Sequence, residues 1–369
     1  MIYLDSAATS LLKPAGVYRA AERAMRECAS PSRGAYPAAM AAAEIVYSCR
    51  EAAGELFRCA PEQVVFTMNA THALNLAICS LCRSGMRVLI SGYEHNAVLR
   101  PLRALGAELR IARTPLFDRA AALAGFRREL ADCELCVCTH VSNVFGFVLP
   151  VGEIAAACRE AGVPLIVDAS QSAGVLDIDL REWNCAFVAM PGHKGLMGPQ
   201  GTGLLLCNHE TRPLLYGGTG SDSRNPHMPD ALPERLEAGT MNVAGIAGLL
   251  EGLRYILLHG TDALEQRERK LSELFLSALG DTEGFFLSAE PAVRCGVLSC
   301  CREGRDCEET AAALAAAGVC VRAGLHCAPL AHETVGTLES GTVRFSFSPL
   351  LSSREVLEAA EITEKILKK

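Results

Sequence analysis

Between residues 60 and 207, short apolar runs alternate with longer helical stretches, and no other feature of the chain constrains its fold as strongly. The runs are VVFTM (64–68), RVLIS (87–91), ELRIA (108–112), ELCVCTH (134–140), VPLIVDA (163–169), FVAM (187–190) and GLLLC (203–207). Between them lie stretches such as EIAAACREAG, apolar at helical spacing and closed by glycine. Strands that are apolar along their whole length and separated by helices build a mostly parallel sheet covered on both faces. In such a sheet, ligands bind beyond the carboxyl ends of the strands. A polar side chain just past a strand is therefore a candidate for chemistry.

Residues 208–245 break the rhythm. HETRPLLYGGTGSDSRNPHMPDALPERLEAGT is rich in Gly, Pro, Asp and Ser and reads as a long irregular connection. Helical stretches resume at about 246, followed by short strands at GVLSC and TVRFSFS. The pattern predicts an α/β chain. Its large domain, 16–245, holds the sheet, and residues 1–15 and 246–369 form a smaller α+β domain. A length of 369 residues suits that division.

Composition narrows the function. Lys+Arg 35 against Asp+Glu 42 gives a net charge of −7, the wrong sign for a nucleic-acid surface. No apolar run reaches the roughly 18 residues of a membrane span. The start, MIYLDSAATS, lacks a basic region followed by an apolar stretch, and the expected location is cytoplasmic. Seventeen cysteines in a long chain read as free thiols rather than a disulfide framework. CxxC occurs at Cys79–Cys82 and Cys133–Cys136 without a second pair at zinc-ribbon spacing, so no metal site is expected.

Five strand ends carry polar groups. Lys194 follows FVAM in Pro191-Gly192-His193-Lys194-Gly195. Asp168 closes an apolar strand, where a carboxylate needs a cationic partner. Read structurally, Asp168 would be a helix N-cap, with Gln171 completing a capping box. Asn69-Ala70-Thr71-His72 follows VVFTM and opens a helix, a ready anion site. Glu94-His95-Asn96 follows RVLIS, and His140-Val141-Ser142-Asn143 follows ELCVC. Together they offer a phosphate cradle, an imidazole, a carboxylate and an amine. That set suits pyridoxal phosphate, which uses a lysine and an aspartate facing its ring nitrogen.

The chain resembles the class V branch of fold type I pyridoxal phosphate enzymes, and within it the cysteine desulfurase and selenocysteine lyase family. The resemblance rests on YLDSAATSLLKP, FTMNATHALNLA, YEHNAVLRPL, HVSNVFGFVLPV, IVDASQSAGVLDIDL, GHKGLMGPQGTGLL, EAGTMN and RAGLHCAPL. It implies the transferase fold of that class and a homodimer. By position, Lys194 resembles the Schiff-base lysine, Asp168 the ring-nitrogen partner and His95 the imidazole stacked on the ring. Gln171 resembles the group bonded to the ring hydroxyl, and Ala70, Thr71 and His193 resemble the phosphate ligands. Thr240 resembles a phosphate ligand supplied by the other subunit. Asn143 and Arg344 resemble the clamp on the substrate carboxylate, with Arg322 near the entrance.

Cys327, in Arg322-Ala323-Gly324-Leu325-His326-Cys327-Ala328, resembles the desulfurase nucleophile in its short-loop, group II-like form. The implied reaction takes sulfur from L-cysteine as a persulfide on Cys327 and leaves L-alanine. Selenocysteine needs the same thiol geometry, and a small protein would accept the sulfur. The alternative is a class V aminotransferase or β-lyase acting on a small amino acid, with Cys327 incidental. Two positions depart from the family pattern. Pro191 stands where Ser is common and supplies neither hydroxyl nor N–H, a loss the GGTGS segment (217–221) is expected to offset. Leu325 stands where group II members often carry a second His.

Overall fold

A computed structural model describes residues 1–31, 34–221, 223–287 and 291–368. In chain order the strands are β1 (Ile2–Tyr3), β2 (Val64–Thr67), β3 (Arg87–Ser91), β4 (Glu108–Ala112), β5 (Leu135–Thr139), β6 (Leu165–Asp168), β7 (Phe187–Pro191) and β8 (Gly203–Cys207). After them come β9 (Phe286–Leu287), β10 (Val297–Cys300), β11 (Val319–Cys320), β12 (Arg322–Gly324) and β13 (Thr342–Ser346). The first four helices are α1 (Ala15–Glu27), α2 (Pro37–Phe57), α3 (Ala70–Leu81) and α4 (Asn96–Ala104).

β2 to β8 form one seven-stranded sheet in the order β2-β8-β7-β6-β5-β3-β4. The four pairs joining β4, β3, β5, β6 and β7 are parallel, while β8 runs antiparallel to both β7 and β2. The strand residues alternate between two cores. Leu89, Cys136, Val167, Val188 and Leu206 face one side, and Val88, Val137, Ile166, Ala189 and Leu205 face the other. Burial on both faces explains why these runs lack a polar alternate position. Cys136 and Cys138 are wholly buried within β5, and burial raises both thiols well above their ordinary pKa. All seventeen cysteines are free.

A second sheet, β12-β13-β10-β9, is antiparallel and packs Leu298 and Phe345 against Phe275 and Phe286. The N-terminal segment joins this smaller core through Ile2 and Leu4, and β1 lies parallel to β11. The helix Val243–His259 packs on α1 and α2, and its residues Ile246, Leu249 and Leu253 enter the core on one face of the large sheet.

The edge strand β2 is capped from outside. The Glu237 carboxylate accepts the Phe66 N–H at 2.6 Å and pairs with Arg50 Nη2 at 2.6 Å. Arg50 also donates to the Val64 carbonyl and lies over the Phe66 ring. Both charges are almost fully buried, so this pair fastens the irregular 233–241 segment to the sheet edge. Removing one partner leaves the other charge buried alone, at a cost of about 3 kcal/mol. Glu237→Gln should therefore lower the unfolding free energy in urea by about 3 kcal/mol. An unchanged denaturation midpoint would show the clamp to be dispensable.

Candidate active site

The carboxyl ends of β2, β3, β5, β6 and β7 meet around a cavity of about 200 Å³. Ala70, Thr71, His95, Asn143, Asp168, Gln171, His193 and Lys194 all line it, together with Ala8, Asn69, Thr139 and Ser170. Eight of the twelve residues singled out in the sequence are thus brought together. The other four lie elsewhere in the single chain. Arg344 sits behind Asn143, Arg322 and Cys327 belong to the smaller domain's strand and turn, and Thr240 lines a separate cavity of about 750 Å³.

Lys194 is presented by a tight turn after β7. Gly192 N donates to Thr202 O at 2.8 Å, and Gly198 N to Gly192 O at 2.7 Å. A Cβ on Gly195 would come within 2.3 Å of the Ala173 carbonyl, so only glycine lets this turn sit so close to its neighbour. Loss of hydration pushes the Lys194 pKa down to about 8, while Asp168 acts in the opposite direction.

Asp168 accepts from the backbone N–H and hydroxyl of Ser170. No helix follows it, so the N-cap and capping-box reading fails: the chain continues in turns, and Gln171 Nε2 donates to the Ala7 carbonyl at 3.0 Å instead. Among the described residues no cationic side chain forms an ion pair with Asp168, although it is only 3% exposed. A buried carboxylate that faces a cavity without a cationic partner suits a cationic ring nitrogen.

At another wall, α3 begins. Asn69 caps it by accepting His72 N at 2.9 Å, which leaves Ala70, Thr71 and the helix N-terminus beside the cavity, as an anionic phosphate requires. His193 Nδ1 lies 3.1 Å from Thr9 Oγ1, and burial pushes its pKa down to about 4. The amine, carboxylate, imidazoles and helix end therefore fit pyridoxal phosphate.

His95 Nδ1 accepts Ala97 N at 3.0 Å, so the neutral ring carries its proton on Nε2. Burial is the main reason its pKa is lowered. Beside it, Glu94 is fully buried. Its Oε1 accepts from Thr139 N and Ser91 Oγ, Oε2 has no partner, and burial raises the pKa to about 8.

Cys327 is exposed at the tip of a two-residue turn closed by Ala328 N donating to Leu325 O at 2.9 Å. Both central residues have positive φ, 51° at His326 and 56° at Cys327, the pattern of a type I′ turn built without glycine. Two contacts hold it: Asn143 Nδ2 donates to His326 O at 2.9 Å, and Asn96 N donates to Cys327 O at 2.8 Å. The His326 ring turns inward, with Nε2 3.2 Å from the Thr342 carbonyl. Burial pushes its pKa down to about 2, so it is neutral at physiological pH. The GGTGS segment does not replace the group lost at Pro191 within one chain, since Gly218 to Ser221 line the larger cavity with Thr240.

The sequence assigned no role to Asp5, Glu94 or Ser170. All three stand inside quoted motifs, YLDSAATSLLKP, YEHNAVLRPL and IVDASQSAGVLDIDL, and that was the available signal.

A family model described as Aminotransferase class-V matches residues 2–358. A probable cysteine desulfurase of Methanothermobacter thermautotrophicus is 32% identical, with 99% of this chain and 94% of the relative covered. Another from Pyrococcus abyssi is 30% identical over 100% of this chain and 94% of the relative. Among solved structures, the apo cysteine desulfurase of Thermococcus onnurineus superposes with a TM-score of 0.91 at 30% identity, covering 100% of this chain and 94% of that one. The cysteine desulfurase CsdA of Escherichia coli gives 0.85 at 26% identity, with coverage of 100% and 94%.

The depressed Lys194 pKa has a measurable sign. Below pH 8 the amine is mostly protonated and unreactive, and above it mostly neutral. In cofactor-free protein, pulse labelling of Lys194 with an acylating reagent should rise with a midpoint near pH 8. A midpoint near the ordinary lysine value of roughly 10.4 would contradict this environment.

Proposed function

We propose that the chain, which belongs to the class-V aminotransferase family, is a pyridoxal phosphate-dependent cysteine desulfurase. The observation that carries this reading is the exposed Cys327 thiol, held on a turn that Asn143 ties to the cofactor-type cavity. An aminotransferase has no use for a thiol presented in this way.

Bound in the cavity, pyridoxal phosphate supplies an electron sink that labilises bonds at the α and β carbons of an amino acid. Lys194 would hold the cofactor covalently and, once released as a free amine, would take and return protons at the substrate carbon. Asp168 would stabilise a positive ring nitrogen. His95, neutral with its proton on Nε2, would lie against the ring and could donate at that atom. Arg344 and Asn143 would orient the carboxylate, Arg344 through its unpartnered Nε–H. The Cys327 thiolate attacks the substrate sulfur: an S–S bond forms, the Cβ–S bond breaks, and its electron pair takes a proton at Cβ. L-cysteine and the Cys327 thiol thus become L-alanine and a Cys327 persulfide, with no external oxidant. Selenocysteine would follow the same path.

Neither neighbour of the thiol supplies a proton. Leu325 has no titratable group, and the His326 ring is engaged with Thr342. Turnover with free cysteine is therefore expected to be slow and to rise with a thiol reductant or a small acceptor protein. The abundance of free thiols suits the cytoplasm.

The quaternary reading is a homodimer. Tyr36, Met40 and Tyr47 are exposed at the start and along α2, and Tyr47 borders the cavity that also holds Thr240. Apolar side chains around a cavity of about 750 Å³ suit coverage by a second copy, which would place Thr240 of the partner subunit at the phosphate.

Cys327→Ser should lose alanine and persulfide formation from L-cysteine while keeping the visible absorbance of the bound cofactor. A serine hydroxyl stays protonated and attacks sulfur poorly. Intact mass with and without reductant reads the persulfide directly. Wild-type alanine production by this variant would overturn the desulfurase reading in favour of an aminotransferase or β-lyase. Sedimentation at micromolar concentration should give a dimer, and a fully active monomer would remove the role given to Thr240.

A further inference from the structure

β12 and β13 bring two like charges face to face. Arg322 and Arg344 are directly opposite in the antiparallel register, an arrangement that is destabilising unless an anion intervenes. The anion is Asp5, delivered by the N-terminal segment from 339 residues away. Its Oδ1 accepts from Arg344 Nη2 at 3.0 Å, and its Oδ2 accepts from Arg322 Nη2 at 2.9 Å and Nε at 3.1 Å. Arg344 spends Nη1 on the Asn143 carbonyl at 3.0 Å. Its Nε has no hydrogen-bond partner, although the side chain is only 3% exposed.

We propose that Asp5 is the positioning residue of the carboxylate site, a resident counter-ion that holds the two guanidiniums together. One net positive charge and the Nε–H of Arg344 are then left for the carboxylate of the incoming amino acid. The inference rests on the reading of Arg344 as the substrate-carboxylate residue. It adds that the strength of anion binding there is set by a side chain that never touches substrate. Without Asp5 the arginines would hold any small anion tightly and in no fixed orientation. With it, two charges are reduced to one and the guanidinium planes are fixed. The geometry also links charge to the nucleophile, since Arg344 holds the backbone of Asn143 and the Asn143 amide holds the turn of Cys327.

The test uses the full-length, cofactor-loaded protein and sodium sulfate as the anion probe. By calorimetry, Asp5→Asn should bind sulfate about tenfold more tightly than wild type, because one compensating charge is gone. In the same variant, sulfate should compete with L-cysteine, raising KM in proportion to its concentration with kcat unchanged, whereas the wild-type KM should barely respond. The double variant Asp5→Asn/Arg322→Gln restores the charge balance and should return sulfate affinity to the wild-type level. Should Asp5→Asn fold poorly, sulfate should raise its Tm, and the double variant should fold without it. A double variant as unstable as the single one overturns the proposal. Arg344→Gln tests the underlying reading by itself. An unchanged KM for L-cysteine there removes the carboxylate site and the proposal with it. A raised KM in Arg344→Gln, with sulfate affinity at the wild-type level in Asp5→Asn, leaves the site standing and overturns the role of Asp5.

Discussion

Burial of the central sheet on both faces confines its polar chemistry to the strand ends. The interior of β3, β5, β6 and β7 has no room for an unpaired polar group, and their residues divide between two apolar cores. Every charged or hydrogen-bonding side chain needed by a ligand must therefore sit where a strand stops and the backbone turns away. Parallel direction then puts those stops on one edge. Asp168, Lys194, His95, Asn143 and Thr71 come from five strand ends far apart in the chain, yet all line one cavity. The cavity follows from the sheet rather than from any one motif.

Within that edge, low hydration sets the protonation states. Lys194 falls to about 8 and Glu94 rises to about 8, each because burial disfavours its charged form. The two moves favour neutrality in a site where Asp168 is left without a cationic protein partner. The N-terminal segment completes the wall. The carbonyl of Ala7 receives Gln171, the hydroxyl of Thr9 faces His193, and Ser10 N donates to the His193 carbonyl. A few residues earlier, Asp5 reaches the arginines of the smaller domain. One N-terminal strap, turning at residues 6–8, thus touches the cofactor-type residues and the carboxylate-type residues in turn.

Much of this was legible in the sequence because the forces are local. The strands at 87–91 and 203–207 agree with the apolar runs to the residue, since burial on both faces leaves a contiguous signature, and the edge strand 108–112 agrees through its alternation of exposed and half-buried residues. Lys194 and His95 were legible because each follows such a run directly. What was not legible depends on partners distant in the chain. Gln171 looked like half of a capping box, but the backbone after Asp168 forms turns and its amide is taken by Ala7. Asn143 lines the cavity, but the bond from its amide to the carbonyl of His326, 183 residues on, has no local trace. The pairing of Asp5 with two arginines leaves no local trace, because nothing near Asp5 in sequence carries a compensating charge.

The turn at Cys327 shows how such distant partners shape chemistry. Two consecutive non-glycine residues with positive φ cost roughly 1–2 kcal/mol each and persist only when surroundings fix them. Here both central carbonyls are held, one by Asn143 and one by the backbone of Asn96. The peptide that carries the thiol is therefore bonded to the large domain on the cavity side and cannot swing outward without breaking those bonds. On the proposed function, a sulfur atom taken up by Cys327 would be held with that turn near Asn143, which lines the cavity. Transfer onward would then require an acceptor that approaches the exposed thiol, rather than a mobile loop that carries sulfur out to meet it.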